Sequence, residues 1–516
     1  MSLPLLIGID LGTTGCRTII FDRDGRQVAK SYVEYEVRTP ETGWAEQDPE
    51  QWWSAALQTI REAVAAAQLN PADVVAIGVT AQQPSPVFVD SSGCSLAPSL
   101  IWMDRRTTAE CEEISTALNA DHIYSITGLR VDATFGATKI LWVRKHWPDV
   151  YKKTYKIIPA KDFLVQRLTG EFVTDYATSA ASLLLNIRTL EWWDEALSKL
   201  DIPREKLATL RKSTDLAGKL RKEVAVEVGL VPGTPVFTGA GDSTTEAIGC
   251  RVVTPGEACA SIGTSCDVIA CTETPPADPK KRFVAYPHAV ANRYVAMAGG
   301  NTGGMSLRWF RDQFCQEEID AGRRLGISPY ALMDLEAART RPGAGGVVFL
   351  PYLLGERSPI YDPLARGVFF GISLRQTRAD FIRAVMEGVA CSIRHRISIV
   401  EEQGIKVPVL NVAGGGASSA LWRQIIADVT GRPNQTLQVT EGTCVAAAIL
   451  AGVGAGLYSS VESACAELLP VAERCEPNSK TKMVYDSVFQ VYVRLYESTK
   501  ALWPAVNVVA QYHGGN

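Results

Sequence analysis

Two apolar runs, residues 5–9 and 16–21, are joined by Asp10-Leu11-Gly12-Thr13-Thr14-Gly15, and Asp24-Gly25 then turns the chain into a third run over 27–35. Short apolar runs bounded by glycine turns predict strands, so the chain is expected to open as an antiparallel meander. The turn is also chemically loaded. Glycine lets backbone N–H groups approach an anion's oxygens, threonine hydroxyls donate, and a strand-end carboxylate holds a hard cation directly or through water. It is not a Walker A loop, because no Gly-Lys-Ser/Thr follows and the next element is a strand. Taken alone, an ordinary hairpin turn fits nearly as well.

The same device recurs. Residues 257–270 hold an apolar run, the turn Gly263-Thr264-Ser265 and another apolar run. Late in each half, Ala240 to Gly249 and Glu441 to Gly452 both read as a glycine, polar residues and a small-residue helix. Two such turns facing one another predict a nucleotide site between two related units. At 516 residues the chain exceeds one ordinary core, and the boundary is placed near residue 250: a first domain over 1–250, a second over 251–500, and a tail over 501–516. Apolar positions Trp53, Leu57, Ile60 and Val64 predict a helix over 52–67, followed by a buried strand over 74–79. Further helices are expected over 105–118, 137–146 and 161–168. Helix alternating with strand indicates α/β layers.

A third glycine element, Gly414-Gly415-Gly416-Ala417, follows the run 409–412 and precedes a helix with Leu421, Trp422, Ile425, Ile426 and Val429 on its apolar side. Strand, glycines and helix let a ribose or phosphate lie against backbone at a helix N-terminus; a simple tight turn is the other reading. Asp242, in Thr238-Gly239-Ala240-Gly241-Asp242-Ser243, ends an apolar run beside glycines, where a carboxylate can accept the proton of an attacking hydroxyl. An isolated Asp also commonly caps a helix. Asp104, in Ile101-Trp102-Met103-Asp104-Arg105, pairs an acid with an aromatic residue, which suits a sugar.

Several classes are disfavoured. The net charge of -4 and the absence of any run of five basic residues argue against nucleic acid. Twelve cysteines without a Cys-x-x-Cys pair, and five histidines, give no zinc array and point to a reducing cytoplasm. The N-terminus lacks a signal-peptide pattern. Residues 442–461 carry no charge, yet their glycines and alanines predict a buried helix and turn rather than a membrane span. His288 has no Gly-x-Ser-x-Gly partner, so hydrolase chemistry is disfavoured.

The segments IGIDLGTTGCR, IWMDRR, ATKILWVRKHWPDVY, PAKDFLVQRLTGEFVTDYATSAAS, GTPVFTGAGD, SIGTS, LPYLLGERSPIYDPLARGVFFGI and VAGGGASSALWRQIIADVTG fall in one order along the chain. In that order they resemble the FGGY carbohydrate kinases, xylulokinase-like branch. The resemblance implies an α/β fold of two actin-like, ribonuclease-H-like domains with an ATP cleft between them. It implies ATP and Mg²⁺ as cofactors, with Asp242 as catalytic base and Asp10 near the metal. Thr13 and Thr14 fall at the transferring phosphate, with Arg17 within reach of phosphate or a carboxylate. Gly263, Thr264 and Ser265 fall on the nucleotide phosphates, and Gly415, Gly416 and Ala417 along the adenosine side. Gln82, Gln83, Asp104 and Asp242 fall on the substrate, and a dimer is the family's common habit.

One departure bears on specificity. Where xylulokinases resemble each other in a Gln-Met-His turn, this chain has Gln82-Gln83-Pro84, then Ser85. Gly299-Gly300-Asn301-Thr302-Gly303-Gly304 and Ser243 also differ from the usual pattern. The expected reaction is phosphorylation of a small sugar or polyol. D-Xylulose leads among ketoses, pentitols, tetritols, glycerol-like polyols and hydroxylated furanone or dione signals. A non-enzymatic sensor and an actin-like polymer are the rivals from other classes: the sensor is expected to lose the base or one phosphate turn, and neither is missing, while the polymer shares the nucleotide cleft but leaves the substrate-side sugar segments superfluous.

Overall fold

The computed structural model describes residues 4–438 and 441–511 and is built on two seven-stranded mixed sheets. In the first, Leu5–Leu11 lies antiparallel to Gly15–Asp22, which lies antiparallel to Gln27–Glu34. On its other side Leu5–Leu11 runs parallel to Val74–Ala81, then come Pro235–Phe237 in parallel and Leu216–Lys219 in antiparallel pairing. The second sheet repeats this order. Glu257–Ile262 is antiparallel to Cys266–Thr272, itself antiparallel to Tyr294–Gly300. Beyond Glu257–Ile262 lie Val409–Ala413 and Asn434–Leu437 in parallel and Val471–Cys475 in antiparallel pairing. The pairings match strand for strand, so the duplication read from the two turns is present in the backbone. Val284–Pro287 extends the second sheet, and Ala240–Gly241 joins the first beside Val74–Ala81.

The opening meander forms as expected, and its first strand is almost wholly buried because both faces of the sheet are covered. On one face packs Pro49–Ala67, begun by Asp48, whose side chain accepts from Glu50 N, with proline at the first helical position. The predicted helices and strand of the first half form as Thr108–Leu118, Gly136–His146, Ala160–Thr169 and Val74–Ala81.

The uncharged stretch from residue 442 supplies the helix Gly442–Gly454, buried from Cys444 to Gly452. It belongs to the second half by sequence but lies on the first sheet. A Cβ added to Gly8 would fall 2.1 Å from the Cys444 carbonyl oxygen, and one on Gly78 would fall 2.0 Å from that of Ala447. Its alanines and the glycines beneath them are what permit that approach. Among the described residues no helix is long and apolar enough to cross a membrane.

The helix Asp242–Gly249 crosses Gly442–Gly454 between the sheets, where a Cβ on Gly249 would fall 2.5 Å from the Gly442 carbonyl oxygen. The end of the chain differs from expectation. From residue 501, set apart as a tail, it carries the helix Trp503–Gln511, with Trp503 buried in the second core.

Candidate active site

Strand register assembles the acids. Asp10 and Ala240 both stand opposite Thr80, on the two strands that flank Val74–Ala81. Asp242 follows two residues beyond Ala240 and opens the helix Asp242–Gly249, whose positive end favours a carboxylate. Ser243 N donates to Asp242 Oδ1 at 2.7 Å. Burial, and then the negative charge of Asp10, push the Asp242 carboxyl up to about 8. Burial raises Asp10 as well, partly countered by the Thr443 hydroxyl, which donates to Asp10 Oδ2 at 2.6 Å. One turn past Asp242, burial and the charge of Asp267 push Glu246 up to about 7.

Arg17 stands opposite Asp10 in the hairpin and donates to Glu441 Oε2 at 2.6 Å. Arg17 is therefore committed to a carboxylate, one of the two roles its fork permits. Glu441 and Thr443 were not singled out as site residues from the sequence. They arrive from the start of the helix that covers the first sheet, Thr443 standing 433 positions from Asp10.

The first turn is tied back through its carbonyls. Gly12 N donates to Gly15 O, Tyr35 OH to Gly12 O at 2.5 Å, and Gln47 Nε2 to Thr13 O at 2.7 Å. Trp102 Nε1 donates to Thr13 Oγ1 at 3.0 Å, so the half-exposed indole lies along the turn. The N–H groups of Thr13 and Thr14 have no acceptor among the described residues. A turn with carbonyls fastened and N–H groups open is an anion-binding concavity.

The second turn repeats this. Gly304 N donates to Gly263 O at 2.8 Å and Gly303 N to Thr264 O at 2.9 Å, while the N–H groups of Thr264 and Ser265 have no acceptor among the described residues. The donors belong to the start of the helix Gly304–Phe314, whose glycines are needed for contact: a Cβ on Gly304 would fall 2.5 Å from Gly263 O. Gly414, at φ +80°, closes the other side, 2.6 Å from Ile262 O by the same measure. Gly263 and Gly415 face open space, with no atom within 4 Å of an added Cβ. The third glycine element differs from the simple strand–glycine–helix reading. Gly415, Gly416 and Ala417 form a separate 3₁₀ turn, Gly415–Ser418, and the helix Ala420–Thr430 is capped by Ser419, which accepts from Trp422 N. Ala417 is buried, its carbonyl held by Arg423 Nη1 at 2.6 Å.

On the opposite side Gln82 Nε2 donates to Gln47 Oε1 at 2.7 Å. The Gln83 side chain covers Gly241, where an added Cβ would fall 1.7 Å from Gln83 Oε1. Both amide atoms of Gln83 and Oε1 of Gln82 are buried without a partner among the described residues. Buried polar groups are nearly always bonded, so such a cluster beside Asp242 marks where a polar ligand or ordered water belongs.

Asp104 does not join this group. It is wholly buried: Oδ2 accepts from Ala45 N at 2.7 Å, and Arg106 spans both oxygens through Nε and Nη2. Arg106 in turn lies over Trp44 at 3.6 Å and pairs with Glu46. The acid expected on substrate hydroxyls is thus spent on its own neighbour two residues later, and Trp102 is the member of that segment that reaches the phosphate turn.

The whole chain superposes on the ligand-bound xylulose kinase from Lactobacillus acidophilus with a TM-score of 0.90 and 26% identity, covering 98% of this chain and 100% of that one. The fold is that of a carbohydrate kinase. Residues 5–249 match the N-terminal domain of the FGGY family of carbohydrate kinases and 258–455 its C-terminal domain, and the chain belongs to that family. It is 30% identical to xylulose kinase of Bacillus subtilis over 500 residues, covering 97% of this chain and 98% of that protein. It is 29% identical to gluconokinase of the same species over 514 residues, covering 99% and 98%.

Proposed function

We propose that the protein transfers the γ-phosphoryl group of ATP to a hydroxyl of a small neutral sugar or polyol, with D-xylulose, giving D-xylulose 5-phosphate, as the leading acceptor. The first domain holds the acceptor and the second the nucleotide. The observation that carries this reading is Asp242: one oxygen fastened to Ser243 N–H, the other directed to no partner among the described residues, and a carboxyl held near neutrality by burial and Asp10. A base works best with a pKa near the operating pH.

Asp10 and Asp242 bring two hard carboxyl oxygen donors together, both raised by burial, which fits a magnesium ion held by one or two carboxylates together with substrate phosphates. When bound, Mg²⁺ supplies charge neutralisation on the phosphates. Asp10 would hold it, kept in one orientation by Thr443. Asp242, as the carboxylate, accepts the acceptor's hydroxyl proton while that oxygen bonds to the γ-phosphorus and the bond to ADP breaks. The open N–H groups of Thr13, Thr14, Thr264 and Ser265 stabilise the phosphate oxygens, and closure of the two domains excludes water as a competing acceptor.

The relatives include kinases named for xylulose and for gluconate, which differ in charge. The cations on the acceptor-side segments support a neutral acceptor. Arg105 is paired with Asp132, Arg106 with Asp104 and Glu46, and burial brings Lys139 down to about 7. A substrate carboxylate has no free partner among them. An ATP-coupled screen of ketopentoses, pentitols, tetritols, glycerol, hexuloses and gluconate tests this. Turnover is expected with neutral ketoses or polyols, and a kcat/KM highest for gluconate refutes the neutral-acceptor reading.

A further inference from the structure

Two arginines lie across Gly299 and Gly300. A Cβ added to Gly300 would fall 2.0 Å from Arg396 Nη2, and one on Gly299 would fall 3.1 Å from Arg357 Nη2 and 2.8 Å from Asp267 Oδ1. The two guanidiniums are used differently. Arg396 is wholly buried and donates to Glu356 Oε2 at 2.7 Å. The Arg357 side chain is 44% exposed: Nη2 donates to Gly300 O at 3.0 Å and stands 3.5 Å from Asp267 Oδ1, while Nε and Nη1 have no acceptor among the described residues. The backbone beneath it is fixed, with Arg357 N donating to Glu356 Oε1 at 2.8 Å and Ser358 N to Gly299 O at 2.9 Å. A planar fork on a fastened base loses little freedom when its open donors meet a ligand.

Asp267 stands opposite Gly299 on the neighbouring strand, and its Oδ2 accepts from Ser265 Oγ at 2.9 Å, so the pair adjoins the second phosphate turn. It also adjoins the base. Burial raises Glu246, one turn past Asp242, and the charge of Asp267 raises it further. Burial likewise raises the Tyr286 hydroxyl, on which Arg357 and Asp242 then act with opposite sign. The carboxylate beside Arg357 disfavours an anion there, and the phosphates have the open N–H groups of the turn. A neutral group rich in oxygen suits the pair, because the guanidinium only donates and the carboxylate only accepts. We propose that Arg357 and Asp267 are specificity-determining residues of the acceptor site, contributed by the second domain, and take a vicinal diol or hydroxy-ketone of the acceptor. Arg357 Nε and Nη1 donate to its oxygens and Asp267 Oδ1 accepts from its hydroxyl. Because the pair sits on the second domain, these contacts form as the domains close over an acceptor held by the first. The inference rests on the neutral-acceptor reading above and extends it.

The test uses the full-length enzyme with ATP and Mg²⁺. The probes are D-gluconate and D-xylulose, the latter replaced by the best neutral acceptor of the screen above if that is turned over faster. R357Q is expected to raise KM for the neutral acceptor about tenfold, with KM for ATP within about twofold. D267N keeps shape and removes the negative charge. It is expected to lower kcat/KM for the neutral acceptor about five- to tenfold and to shift the ratio of the two probes about tenfold towards gluconate, whereas a merely structural role lowers both probes together. An R357Q enzyme with KM raised for ATP and not for the acceptor assigns the arginine to phosphate and overturns the inference while leaving the kinase reading intact. An unchanged acceptor KM in R357Q, or an unchanged probe ratio in D267N, does the same. Should D267N fail to fold, R357Q, altered at an exposed side chain, decides alone. Turnover of gluconate alone by the wild type overturns the inference and the neutral-acceptor reading together.

Discussion

Replacing Asp242 with Asn deletes a proton acceptor while keeping volume and the Ser243 N–H bond. General-base catalysis contributes about 10²–10⁴ in rate, and that loss is expected in kcat, with ATP affinity measured by calorimetry nearly unchanged. The same substitution carries a stability signature of opposite sign. The folded carboxyl is raised from 3.8 to about 8, so the folded protein binds a proton that the unfolded chain has released. Stability held by the wild type at low pH is therefore lost as pH climbs from about 4 towards 8. A displacement of this size corresponds to roughly 6 kcal/mol in full, but Asp242 is partly exposed and solvent relieves much of it, leaving about 1–2 kcal/mol. The Asn variant escapes that loss. Its Tm should exceed the wild type's by about 2–6 °C at pH 8.5, the gap closing as pH falls towards 4. Differential scanning fluorimetry across pH, with an ADP-release assay on the same samples, reads both effects. Turnover within threefold of wild type, or a lower Tm at pH 8.5, refutes the assignment of Asp242 as a half-buried, charge-strained base.

Thr443→Val removes the 2.6 Å bond to Asp10, and the Mg²⁺ concentration for half-maximal activity should rise about three- to tenfold, with Thr443→Ser restoring it; an unchanged requirement removes Thr443 from the positioning of Asp10. Gly304→Ala drives a Cβ to 2.5 Å from Gly263 O and should raise KM for ATP several-fold with every acceptor alike, whereas an acceptor-dependent change contradicts the phosphate role of the 263–265 turn. Asp104→Ala leaves the buried Arg106 with Glu46 alone and Ala45 N–H without its acceptor, so a loss of about 3 kcal/mol in urea unfolding is expected; full stability with only a raised acceptor KM returns Asp104 to the substrate.

The meander, the helix Pro49–Ala67 and the duplicated turns were legible because each is a local pattern: apolar period, cap and glycine lie within a few residues of one another. The acids Asp10 and Asp242 stood out for the same reason, at strand ends beside glycine. What fastens them did not. Thr443 and Glu441 reach the hairpin from the far end of the chain, and the only signal was the weak echo between residues 240–249 and 441–452. Asp104 was misplaced because an acid beside an aromatic residue reads alike whether the acid faces a cleft or the core. Arg106, two residues on, was the competing partner in plain view. The uncharged run from residue 442 was resolved by its small residues, whose function became visible only with Gly8 and Gly78 beneath them.

The central claim is that this chain moves a phosphoryl group from ATP to a neutral sugar or polyol. Incubating the purified full-length protein with ATP, Mg²⁺ and an equimolar mixture of D-xylulose and D-gluconate, then resolving products by mass spectrometry, tests it most directly. ADP with a sugar monophosphate derived from D-xylulose is the predicted result. ADP with phosphogluconate alone, or ADP with inorganic phosphate and no ester, contradicts it.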